Sequence, residues 1–169
     1  MTLKIDKKIV RYSVVKPDEP APAPGGAAPA VQQMHESVAR PDVLPGATYK
    51  VKTPLSDHAL YITINDIILN RGTPHETRRP FEIFINSKAM EHFQWIVALT
   101  RIISAVFRKG GDCTFLVEEM RSVFDPKGGY FKKGGKYMPS LVAEIGDVIE
   151  SHMRSIGLFY RHYACHFKW

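Results

Sequence analysis

A chain of 169 residues with 44% apolar and 11% aromatic content carries enough apolar side chain for one packed domain plus tails. No apolar run approaches the about eighteen residues of a membrane-spanning helix, and Lys4, Lys7 and Lys8 are followed by Pro and Ala rather than an apolar stretch; a soluble cytoplasmic protein is expected. A net charge of +6 and a pI near 9.3 admit an acidic protein, a nucleotide or a nucleic acid as partner and choose none of them, while Cys113 and Cys165, without any CxxC pair, exclude a disulfide framework and a zinc ribbon.

Residues 3–15 alternate roughly between apolar and polar and contain β-branched side chains, so they read either as a strand that docks on a partner or as a disordered tail. From Lys16 to Ala30 repeated Pro forbids helix interior and sheet ladder alike, which predicts a flexible, extended tether. The tail and tether are assigned to residues 1–39. The globular part is expected from Arg40 to Leu158, with an atypical aromatic and basic tail over residues 159–169.

Ala47–Lys52 has a period of two, and Ala59–Asp66 resumes it as a second strand that Ile67–Asn70 extends. Arg71–Pro80 is rich in turn formers and charges, and Phe81–Asn86 reads as a third strand with Phe81, Ile83 and Ile85 on one face. Between Glu91 and Lys109, Trp95, Ile96, Leu99, Ile102, Ile103, Val106 and Phe107 recur at helical spacing toward a sheet, and Gly110-Gly111 stops the helix. A second helix is predicted over Asp112–Val123, capped by Asp112, with Phe115, Leu116, Met120 and Val123 along its face. A third has Pro139 in its first turn and a stripe of Leu141, Ile145, Val148, Ile149, His152 and Ile156, ended by Gly157. Strands followed by helices predict an α+β fold, a small mostly antiparallel sheet packed against two or three amphipathic helices.

The segment Lys127–Tyr137, with two Gly pairs around aromatics and lysines, is the best candidate for a functional site. Glycine lets backbone N–H groups approach a phosphate, Lys127, Lys132, Lys133 and Lys136 would neutralise it, and Tyr130 could stack on a base. It lacks the GxxxxGK[ST] of a P-loop, and the same residues serve a plain surface loop or a protein contact equally well. His58, His75 and His92 lack metal-site spacing, and His162, Cys165 and His166 are three ligands without a fourth. Cys113 reads as a small buried hydrophobe or as a thiol activated near a helix start. No catalytic or metal motif is legible.

Arg40–Gly46, Tyr49–Pro54, Leu60–Asn65, Pro80–Asn86 and Leu99–Ser104 together resemble the core of the TSCPD module of adenosylcobalamin-dependent ribonucleotide reductases, in particular the small chain that accompanies a split large chain. The resemblance implies an accessory subunit supporting deoxyribonucleotide synthesis, with catalytic cysteines and adenosylcobalamin on the barrel of the large partner chain and no cofactor here. A nucleotide stays open as a further partner, a nucleic acid is disfavoured, and no membrane is expected. The resemblance has gaps: the namesake TSCPD residues and the cysteine-rich tail of relatives are absent, so no catalytic residue transfers. The alternative is a free-standing nucleotide or nucleic-acid binding module using the 127–137 loop.

Overall fold

The computed structural model describes residues 31–54, 56–88 and 93–158. Residues 3–15, the tether, His92, and the tail with His162, Cys165 and His166 lie outside the described residues. Three strands, β1 (Gly46–Val51), β2 (Leu60–Leu69) and β3 (Thr77–Ser87), form an antiparallel sheet in the order β1-β2-β3. The period of two in β2 sends Leu60, Ile62 and Ile64 to one face, where all three are buried. The strand runs on through Leu69 as expected. Its length draws Thr77–Pro80 into the ladder opposite it, so β3 begins before Phe81 and the turn shortens accordingly.

An irregularity in this ladder reorganises the packing. Asn65 lies opposite Glu82 but Asp66 lies opposite Pro80, leaving Phe81 as an extra residue in β3. Pro80 is tolerated in the ladder because it sits at this bulge. Phe81 therefore does not share a face with Ile83 and Ile85. It joins Met34, Ile67 and Leu69 in a second cluster, covered by Val38 and Leu44, whereas Ile83 and Ile85 belong to the main core. Packing thus reaches toward the N-terminus beyond Arg40. Asn70, at φ 53, holds that segment in place by accepting from the Gln32 amide at 2.8 Å and donating to its carbonyl at 2.9 Å.

Helix α1 (Phe93–Lys109) returns along β3. It buries Thr100, Ile103, Ser104 and Phe107, a narrower stripe than the apolar spacing implies. Trp95 and Ile102 stay outside, 68% and 62% exposed. The reason is geometric: α1 serves the edge strand, with Ser104 Oγ accepting from the Ile83 amide at 3.1 Å and donating to the Thr100 carbonyl at 2.7 Å. An edge amide that would face solvent is satisfied in this way. Gly110, at φ 89, ends the helix where any Cβ would collide with the Met34 carbonyl.

Helix α2 (Phe115–Arg121) is shorter than its predicted span and turns Val117 and Met120 inward, leaving Phe115 and Val123 exposed. Asp112 is not its cap. Its carboxylate accepts instead from the Thr114 amide at 2.8 Å and hydroxyl at 2.7 Å, a local turn that precedes the helix. Helix α3 (Leu141–Ser155) starts at the cap Ser140, whose Oγ accepts from the Ala143 amide at 3.0 Å, so Pro139 lies one residue before the cap rather than in the first turn. Gly157, at φ 78, follows its end. The main core joins Ile62, Ile64 and Ile83 to Ile103 and Phe107 of α1, Val117 of α2, and Ile145, Ile149 and Met153 of α3. Each such side chain contributes about 1.5–3 kcal/mol by leaving water. A short hairpin, β4 (Tyr130–Phe131) with β5 (Tyr137–Met138), completes an α+β architecture. Among the described residues no helix is long and apolar enough to cross a membrane.

Candidate functional site

The segment expected to be an open loop is the β4–β5 hairpin, and its chemistry points inward. Gly134 and Gly135, at φ 98 and 82, make the turn, which the Gly135 amide closes on the Lys132 carbonyl at 3.0 Å. Tyr130 is buried, and its hydroxyl donates to Glu144 of α3. Burial first, and the neighbouring carboxylate second, push its phenol well above the usual range.

Lys132 Nζ lies 3.1 Å from Glu144 Oε1 and 3.6 Å from Asp147 Oδ2, while Lys136 pairs with Asp147 Oδ1. Arg121, from α2, joins the same row at 2.8 Å from Asp147 and contacts Glu150, which Arg154 also holds at 2.5 Å. Burial pushes the Asp147 carboxyl up, but the hydrogen bonds from Lys136 and Arg121 outweigh it and hold the group below its ordinary value. Three of the basic residues of 121–137, Arg121, Lys132 and Lys136, are therefore matched by Glu144, Asp147 and Glu150, spaced three apart on α3. That spacing was the sequence signal for the match.

Of the five candidate residues, the fold brings Tyr130, Lys132 and Lys136 together and commits them to α3. Lys127 and Lys133 are exposed and form no ion pair among the described residues. Phe131 and Tyr137 face outward, their rings packed on each other with centroids 5.2 Å apart. The Tyr130 ring is enclosed and has no face for a base.

A second polar constellation is internal. Asp66, on β2, is sealed from solvent; its Oδ1 lies 2.8 Å from His152 Nε2, and its Oδ2 receives Arg78 Nε at 2.9 Å and Nη2 at 2.8 Å. The Nε2 hydrogen meets the carboxylate, which only accepts, and Nδ1 shares a hydrogen bond with the Tyr49 hydroxyl, 2.8 Å away. Burial raises the Tyr49 phenol above its ordinary value. A histidine inside the apolar stripe of α3 was the only sequence sign of this network.

His58 and His75 are exposed on separate turns, and no cluster that could hold a metal occurs among the described residues. Cys113 is enclosed at 1% exposure; burial pushes its thiol up, which makes it a core hydrophobe rather than a nucleophile.

Comparison with known families matches residues 31–153 to the TSCPD domain. No curated protein and no solved structure matches the chain. The match starts at Val31, where the packed segment over Phe81 begins, and ends at Met153 in the last turn of α3. It takes in both clusters, the hairpin and most of the chain, which belongs to the TSCPD domain family.

Proposed function

We propose that this chain is a non-catalytic accessory subunit of an adenosylcobalamin-dependent ribonucleoside-diphosphate reductase, working in the cytoplasm beside a large chain that performs the radical chemistry. The observation that supports it is the family match across residues 31–153, because TSCPD domains are associated with adenosylcobalamin-dependent ribonucleotide reductases. The family resemblance assigns the cofactor to the large chain, and no step is routed through this one. Its own polar residues serve assembly: the hairpin and α3 are held by paired charges, and the sheet keeps one face partly open.

The rival reading, a nucleotide or nucleic-acid module built on residues 127–137, has less support because Tyr130, Lys132 and Lys136 are engaged with α3. The deciding experiment mixes the full chain with an adenosylcobalamin-dependent reductase large chain, follows co-elution on size exclusion, and measures deoxyribonucleotide formation with a dithiol reductant. Co-elution with raised turnover is expected. No complex and no effect on turnover would sink the reading.

A further inference from the structure

Half of the second sheet face is uncovered. The segment from Met34 to Leu44 closes the end holding Ile67, Leu69 and Phe81. It stops at Arg40, whose guanidinium clamps Glu82 at 2.8 Å, with Asn65 Nδ2 donating to the same carboxylate at 2.8 Å. Past that clamp, Tyr61 and Phe84 stand on neighbouring strands, 44% and 48% exposed, with Tyr61 opposite Asn86. Phe84 and Ile102 share the groove between β3 and α1, and Trp95, two helical turns before Ile102, continues the same flank. Single exposed apolar residues need no explanation, but exposed aromatic and aliphatic side chains flanking one groove mark an interaction surface.

The charge on this face is predominantly basic. Arg101 and Arg108 line the groove, and its one lining carboxylate, Glu82, is already neutralised by Arg40. At the far end Lys50, Lys52 and Lys88 share a hollow with Tyr61 and outnumber its one carboxylate, Asp57. Neither Arg101 nor Arg108 has an ion pair among the described residues. Two occupants are disfavoured by this: residues 3–15 carry Lys4, Lys7, Lys8 and Arg11 against Asp6, and a second copy would set these arginines against their own kind. Aromatic and arginine side chains around a groove are the composition of a protein-binding hot spot.

We propose that this face seats an acidic segment of the large reductase chain, whose apolar side chains enter the groove between Phe84 and Ile102 while its carboxylates meet Arg101 and Arg108. The inference rests on the accessory-subunit reading and adds where the contact is made. The side chains of Trp95 and Arg101 are exposed and form no hydrogen bond among the described residues, so their substitution spares the fold.

The test titrates the full chain into the large chain by calorimetry at two salt concentrations, using wild type, Trp95→Ala, Phe84→Ala, Arg101→Glu, and the hairpin control Lys132→Ala/Lys133→Ala. Trp95→Ala and Phe84→Ala are expected to weaken binding about tenfold or more, as truncated interface aromatics do. Arg101→Glu is expected to weaken it similarly and to reduce its salt dependence, with the control near wild type. Equal affinity for all four variants overturns the assignment of the face and leaves the accessory role standing. Absence of any wild-type complex overturns both. A concentration-dependent homodimer, or single-stranded oligonucleotide binding, that is lost in Phe84→Ala would give the face to another occupant and overturn the assignment as well.

Discussion

His152 Nε2 and Asp66 Oδ1 lie 2.8 Å apart, a contact across 86 residues of chain that ties the last helix to the central strand inside the protein. Removing His152 leaves Asp66 Oδ1 unmet beside Arg78 alone, and removing Asp66 leaves a buried ring nitrogen unpaired; a buried polar group left unsatisfied costs about 1–3 kcal/mol. Asp66→Ala should lose that much stability in urea unfolding, and His152→Ala nearly as much. Tyr49→Phe removes only a neutral hydroxyl and should cost about 0.5–1.5 kcal/mol. Equal and small effects for all three would show that the network is not the tie.

Acid should loosen the α3 surface first. The folded Asp147 carboxyl lies below its ordinary value of 3.8, so the unfolded chain takes up the proton more readily. Its contribution to stability is fully present above about pH 3.8 and is lost as pH falls through the lower folded value. Glu82, lowered by Arg40 from 4.5, adds to the same arm. Thermal unfolding between pH 5 and 2 should fall steeply for wild type and less steeply for Asp147→Asn.

At the alkaline end the sign reverses. The Tyr130 phenol is raised above 10.0, so its contribution is fully present below about pH 10 and is lost as pH rises beyond it. Tyr130→Phe should start less stable by about 1–3 kcal/mol, the cost of depriving buried Glu144 of a donor, and should show a flatter decline above pH 10. A mutant curve parallel to wild type would remove Tyr130 from that role.

At Gly146 helix α3 lies close against α2, since a Cβ there would sit 2.9 Å from Met120 Cβ. Alanine gains roughly 1 kcal/mol of helix propensity but forces the helices apart, and overpacking of this kind costs about 1–3 kcal/mol. Gly146→Ala should therefore be destabilising in spite of its position inside a helix. Pairing it with Met120→Ala should recover part of the loss.

Cys113 should resist alkylation in the folded chain. In a Cys165→Ser background, iodoacetamide at neutral pH is expected to leave Cys113 unmodified until denaturant is added, because the thiol is enclosed and its ionisation is opposed by burial. Rapid native labelling would show that the shell around it opens.

The three strands were legible because Leu60, Ile62 and Ile64 repeat every second residue, and that spacing survives any tertiary context. The sidedness of Phe81 was not, since it depends on the partner strand skipping a residue. Trp95 and Ile102 lie at perfect helical spacing, yet spacing does not say how wide a stripe the neighbour covers, and an edge strand covers little. The hairpin was hidden for a different reason: its strands are two residues each, and they persist through carboxylates on α3 rather than through propensity. The lysines were visible; their partners lay one element further on.

The extra residue at Phe81 also decides where a guanidinium emerges. In an uninterrupted ladder continuing from Asn65 opposite Glu82, Arg78 would fall beside Leu69 and project away from Asp66. With Phe81 inserted, Arg78 stands opposite Ile68 and reaches the Asp66 carboxylate. The bulge thus fixes the parity of everything upstream of it in β3: pairing Phe81 into the ladder would turn the counterion of Asp66 to the wrong side, whereas deleting Phe81 would strip a plug from the second cluster and leave Arg78 opposite Ile68.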